Sequence, residues 1–218
     1  MRGPGLRALI YDAAIARMTA QWYGAVLDRL PPRCRLLDVG IGTGSALLAH
    51  AELIVHKDLR ITGVDVDAVY IERCRQAVQR RGLAERIEVR LESIYDHRGG
   101  PYDAAYFSGS FMLLPDPSLA LRHVGSLLTA EGRMYFTQTF ERRQSRTLEI
   151  VKPLLRLVTT IDFGRVTYEP TFRRALAMGG VALEDLTTVH AGRQRSSILA
   201  VARPVQQAES SETDGPFE

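Results

Sequence analysis

The sequence predicts an α/β chain built on one doubly wound, three-layer sheet, mostly parallel with an antiparallel hairpin strand at its carboxyl end. Three observations carry this expectation. Short apolar runs alternate with helix-period runs from Leu36 to Thr139, the pattern of a parallel sheet flanked by helices. The first run passes through Asp38-Val39-Gly40-Ile41-Gly42-Thr43-Gly44 into Ser45-Ala46-Leu47-Leu48, a strand that turns sharply into a helix. The last two runs, Val181–Val189 and Ser197–Ala202, are separated by a short turn, and so short a connection permits only antiparallel pairing.

Each element follows in order. Residues 1–33 hold two expected helices, around Tyr11-Asp12 and around Gln21-Trp22-Tyr23. Leu36–Val39 is the first strand and Arg60–Val64 the second, ending in Asp65. Asp67 is placed to cap a helix with Tyr70, Ile71, Cys74, Ala77 and Val78 on one stripe and Gly82 as its stop. Arg86–Leu91 alternates as a third strand and leads to Glu92. Pro101–Phe107 is a fourth strand, and Asp116-Pro117 reads as an N-cap with a first-turn proline before the helix Leu119–Leu128. A turn at Thr129–Arg133 opens the fifth strand, Met134–Thr137. Residues 140–178 form an insertion rich in arginine, with Leu148, Val151, Leu154, Leu155 and Val158 at helical spacing. The division is one domain over 1–203 and a polar, acidic tail over 204–218 that is expected to be disordered.

Bulk properties exclude several classes. At 218 residues the chain is long enough for a sizeable core, and 45% apolar with 24% charged residues is ordinary for a globular protein. A net charge of +3 is too small to argue for nucleic acid. No uninterrupted apolar run suits a membrane span or signal peptide. Cys34 and Cys74 fit no metal-ligand spacing and point to a reducing, cytoplasmic compartment.

The glycines fall at 40, 42 and 44, and Ser45 stands where a dinucleotide fingerprint needs its last glycine. This G-x-G-x-G after an acid resembles motif I of the class I S-adenosylmethionine-dependent methyltransferases. The acid after the second strand, Glu92-Ser93-Ile94 after the third, and Phe107-Ser108 with the loop to Pro117 resemble the family's later motifs in the right order. The likeness spans about Leu36 to Phe140 and is closest to the small, single-domain ubiquinone and menaquinone biosynthesis type. It implies S-adenosyl-L-methionine as cofactor and a Rossmann-like methyltransferase fold. Gly40, Ile41, Gly42, Thr43 and Gly44 would wrap the carboxypropyl and ribose parts, and Asp38 would help hold the ammonium. Asp65 would accept the ribose hydroxyls, with Val66 beside it. Glu92, where the family usually has Asp, would meet the adenine amine, with Ser93 and Ile94 against the ring and Ser108 at the end of the fourth strand.

Methyl transfer is an in-line displacement that needs mainly positioning, so its catalytic residues leave little sequence trace. Ser108-Gly109-Ser110-Phe111 lacks the Asn/Asp-Pro-Pro-Tyr grip of amine methylation, and neither cysteine is placed as a nucleophile. Tyr11, Ser110, Phe111, Gln138 and Tyr168 are the acceptor-side candidates, because they lie at strand ends or flanking segments that this fold turns toward the methyl group. The implied acceptor is a small molecule or a lipid-like compound. The arginines of 140–178 fit either a solvated helix face or an electropositive mouth, and a basic amphipathic helix there would also suit contact with a membrane surface. A protein or peptide methyltransferase and a non-catalytic, cofactor-binding scaffold are the alternatives.

Overall fold

The computed structural model describes residues 6–141, 168–192 and 195–205, with side chains described from Ala16 onward and to Phe140 in the first span. Helix α1 (Leu6–Leu27) leads into β1 (Arg35–Val39), then the short helices α2 (Ser45–Leu48) and α3 (Ala51–His56). β2 (Arg60–Asp65), α4 (Ala68–Arg80), β3 (Ile87–Leu91) and β4 (Tyr102–Ser108) follow. After a 3-10 turn at Phe111–Leu113 come α5 (Pro117–Ser126), β5 (Leu128–Glu141), α6 (Glu169–Met178), β6 (Val181–Ala191) and β7 (Arg195–Pro204).

The seven strands lie in the order β3-β2-β1-β4-β5-β7-β6. β1 pairs in parallel with β2 and β4, while β7 runs antiparallel to both β5 and β6. The expected architecture holds, including the reversed strand of the closing hairpin. One face of the sheet is covered by α1, α2 and α4, through residues such as Tyr23, Leu27, Leu47, Ile71, Cys74 and Tyr106. The other is covered by α5 and α6, where Phe107, Phe111, Phe136, Phe140 and Phe172 pack edge-on and stacked with centroids 5.0–5.8 Å apart.

Local chemistry explains several boundaries. Asp67 accepts hydrogen bonds from the Val69 and Tyr70 amides, so α4 starts where its cap predicts. Ile71, Cys74 and Val78 form its buried side, and Gly82 stops it at φ +66°. Asp116 accepts from the Leu119 amide and Pro117 opens α5. Two expectations change. The amino-terminal region is one continuous 22-residue helix rather than two. The turn expected at Thr129–Arg133 lies within β5 as an irregularity, since Tyr102 pairs with Leu128 and Ala104 with Arg133. The apolar stripe Leu148–Val158 and the tail from 206 lie outside the described residues.

Candidate active site

β1, β2 and β4 end together at one edge of the sheet, and the loop after β1 lies across it. Gly40, Gly42 and Gly44 have φ angles of +80°, +59° and +68°, a region that strains residues with side chains. Space adds a second demand at two of them. A Cβ on Gly40 would come within 2.7 Å of Ser110 Cβ, and one on Gly44 within 2.5 Å of Cys74 Sγ. At Gly42 nothing lies within 4 Å, so this side of the loop is open. A pocket of about 270 Å³ lies there, lined by Ala16, Thr19 and Tyr23 of α1, the loop itself and Ser108.

Asp38 sits beneath this loop with no solvent exposure. Its Oδ2 accepts a hydrogen bond of 2.8 Å from the Tyr23 hydroxyl, and its Oδ1 has no partner. Burial pushes its pKa up to about 7; the Tyr23 hydrogen bond lowers it and the nearby Asp65 charge raises it. Burial, and then the Asp38 charge, hold the Tyr23 phenol well above its ordinary value. A buried acceptor without a donor costs about 1–3 kcal/mol. A cationic donor arriving from the pocket would remove that cost and favour the ionised carboxylate.

Asp65, one strand over, is used differently. Its Oδ2 accepts from the Gly42 amide at 2.9 Å and its Oδ1 from the Asp67 amide at 3.0 Å. It therefore braces the glycine loop against β2 while keeping free lone pairs on both oxygens. Val66 beside it is an apolar side chain that is 72% exposed. The Glu92 amide donates to the Asp65 carbonyl at 3.1 Å, which puts Glu92 just past the end of β3, beside Asp65. Its Oε1 lies 2.6 Å from Nδ1 of the buried His97, whose Nε2 lies 2.8 Å from the Tyr102 hydroxyl.

Not every expected residue faces the pocket with its side chain. Ile41, part of the loop that lines the pocket, is buried against Gly63, and Ile94 is buried in the aromatic-side core. Thr43 bonds Ser45, and Ser93 accepts from the Tyr95 amide. On the acceptor side, Phe111 is 1% exposed within the aromatic cluster. The Ser110 hydroxyl donates to the Val39 carbonyl, tying the loop after β4 to β1. The acceptor roles expected of these two residues therefore have a structural alternative that the geometry displays. Gln138 is 6% exposed with an unpartnered Nε2, one position beyond the Ser108–Thr137 register at the end of β5. Ser108 Oγ is likewise buried and makes no hydrogen bond. Tyr168 precedes the first turn of α6, and the Tyr11 side chain lies outside the described residues.

Sequence reasoning missed Tyr23 and His97. The available signal for Tyr23 was that a carboxylate inside an apolar strand needs a donor. A larger groove of about 430 Å³ lies at the opposite end of the sheet, lined by Arg35, Arg60, Arg86 and Arg90 among others. Each of these guanidinium groups already holds a partner, respectively Asp103, the Glu85 carbonyl, Asp58 and Glu88.

The sheet order and glycine loop define a class I methyltransferase fold, and the comparisons agree. Residues 37–134 match the family described as a methyltransferase domain. This span is thus similar to a methyltransferase domain, and it sits in a Rossmann-like methyltransferase fold. A protein of Synechococcus sp. with no assigned function is 32% identical over 107 residues, 47% of this chain and 25% of that protein. The chain thus spans about a quarter of the length of this curated relative. Among solved structures, the [4+2]-cyclase SpnF superposes with a TM-score of 0.69 at 18% identity, covering 85% of this chain and 81% of that one. A geranyl diphosphate methyltransferase in complex with S-adenosylmethionine gives 0.68 at 14%, covering 94% and 93%. The geranyl diphosphate C-methyltransferase of Streptomyces coelicolor gives 0.66 at 14%, covering 87% and 79%. At these identities the structural likeness concerns the fold.

Proposed function

We propose that this chain transfers the methyl group of S-adenosylmethionine to a small-molecule or lipid-like acceptor. The observation that carries the reading is Asp38: fully buried under an open glycine loop, with one oxygen bonded to Tyr23 and the other without a donor. The amino-acid ammonium of the cofactor is the cation that would complete it, and Asp65 retains lone pairs for the ribose hydroxyls. When bound, the cofactor supplies a sulfonium-activated methyl group, and the protein's task is to orient an acceptor and exclude water.

Gln138 supports a small acceptor bearing an oxygen. Its side chain lies on the face of β5 shared with Phe136 and Phe140, one position past the Ser108–Thr137 pairing, with its amide nitrogen unpartnered. A buried donor left unpaired there suits an acceptor whose oxygen takes one hydrogen bond while its carbon skeleton meets apolar walls. Among the described residues no helix is long and apolar enough to cross a membrane. The two cysteines are free and buried, in keeping with a reducing, cytoplasmic setting.

A second reading, a cofactor-binding scaffold without methyl transfer, is favoured by one finding: the neighbour SpnF is described as a cyclase. Calorimetry and label transfer separate the two. Calorimetry should detect S-adenosylhomocysteine and no NAD, and methyl label from S-adenosylmethionine should reach at least one member of a metabolite panel. Gln138→Ala should lower transfer to that acceptor while holding S-adenosylhomocysteine affinity within about threefold, roughly 0.6 kcal/mol. Tight NAD binding would overturn the reading, and full activity in the variant would move the acceptor away from Gln138.

A further inference from the structure

We propose that His97 is a positioning residue for purine recognition. It holds Glu92 so that the carboxylate's second oxygen is left to accept a hydrogen bond from the exocyclic amine of an adenine ring. This rests on the reading of the site as one for S-adenosylmethionine.

The geometry begins at the backbone. The bond from the Glu92 amide to the Asp65 carbonyl fixes Glu92 one strand away from the loop brace. Leu91 and Val66 are 48% and 72% exposed beside these two carboxylates, an apolar surface that a flat ring could cover. The Glu92 side chain is 28% exposed, so it is neither free in solvent nor enclosed.

His97 constrains that side chain. A carboxylate only accepts, so the 2.6 Å contact to Glu92 Oε1 places the imidazole proton on Nδ1. In the neutral ring Nε2 then accepts from the Tyr102 hydroxyl at 2.8 Å. His97 itself has no exposure, and its ring stacks on Tyr102 at 29° with centroids 5.8 Å apart. The chain makes room for this pair with a glycine. A Cβ on Gly99 would come within 2.4 Å of the Tyr102 hydroxyl oxygen and 2.6 Å of His97 Nε2.

The consequence is a directed acceptor. Glutamate is one methylene longer than aspartate and has another rotatable bond, so unaided it would point poorly. With Oε1 held by His97, and Arg90 3.8 Å from the same oxygen, Oε2 is the atom left for a ligand. It takes no hydrogen bond among the described residues. A 6-amino purine donates to such an oxygen, whereas a 6-oxo purine presents a second acceptor to it. Unpaired acceptors facing each other are the stronger basis for rejection.

The test compares S-adenosylhomocysteine with its 6-oxo counterpart S-inosylhomocysteine by calorimetry, with thermal melting to confirm folding. The wild-type chain should prefer the adenine compound by at least about tenfold. His97→Asn keeps a donor near the Nδ1 position and should retain most of that preference. His97→Gln keeps bulk and reach toward Tyr102 but lacks a donor there, and the preference should fall below about threefold. Glu92→Gln turns an amide donor toward the ring and should shift preference toward the 6-oxo compound. Equal preference in the glutamine and asparagine variants of His97, or no discrimination by the wild type, would overturn the proposal. Failure of the wild type to bind S-adenosylhomocysteine at all would instead refute the underlying reading of the site.

Discussion

Asp38 and Asp65 close neighbouring strands, face the same glycine loop and look alike in the sequence, yet the fold gives them opposite tasks. Asp65 is half-buried and each oxygen already accepts a backbone amide, from Gly42 and from Asp67. Asp38 is wholly buried, holds only the Tyr23 hydroxyl and leaves Oδ1 unpartnered. The first carboxylate stabilises the loop whether or not a ligand is present. The second destabilises its ionised form until a cation arrives. A strand-end acid therefore does not define a role; the donors around it do.

The largest effect should come from breaking the second case. Asp38→Asn removes the charge that would meet an ammonium, and hydrogen bonds between charged groups contribute about 1.5–3 kcal/mol. Affinity for S-adenosylhomocysteine should fall by roughly 10- to 150-fold. The variant should nevertheless melt no lower than the wild type at pH 8, because a buried charge has gone. Asp65→Ala should lower the same affinity by at least about tenfold, since charged acceptors for the ribose are lost. Here melting temperature should also drop, because the Gly42 and Asp67 amides lose their acceptor. If both variants lose affinity and stability alike, the contrast between the two carboxylates fails.

A pH series sharpens the contrast further. The Asp38 pKa is raised by burial to about 7, above its value in an unfolded chain. Stability from this group is fully present below about pH 4 and is lost as pH rises through about 7. The ligand-free wild type should thus lose stability across that window relative to Asp38→Asn. Ligand affinity runs the other way. Below about pH 7 the carboxyl must release a proton to meet an ammonium, so affinity should weaken by up to about tenfold per unit, and Asp38→Asn should flatten that slope. A flat profile in the wild type would show that Asp38 does not carry the ammonium contact.

The loop was legible because glycine spacing is a local signal: Gly40, Gly42 and Gly44 each adopt positive φ. The caps Asp67 and Asp116 were legible for the same reason. Less legible were contacts closed by tertiary packing. Tyr23 meets Asp38 across 15 positions and Ser110 meets Val39 across 71, and no short motif announces either. Phe111 looked like a loop residue but joins a cluster with Phe107, Phe136 and Phe172. Two helices were expected, around Tyr11-Asp12 and around Gln21-Trp22-Tyr23, but the segment is continuous as α1, where packing on the sheet outweighs weak local preference.

The reversed strand also sets the order in which the molecule can be completed. β7 is the last of the described strands in sequence but lies between β5 and β6 in space. β6, though synthesised earlier, finds all its ladder partners, from Ala191↔Ser196 to Val181↔Pro204, in residues made after it. During synthesis the sheet therefore stops growing at β5 and leaves that edge open until about Pro204 has emerged. A nascent or truncated chain ending before Arg195 exposes the β5 edge, from Met134 to Glu141, that β7 would occupy, and unprotected edges invite pairing between chains. The hairpin thus acts as a late closure on folding, so chain ends trimmed into β7 should yield aggregation rather than a smaller working domain.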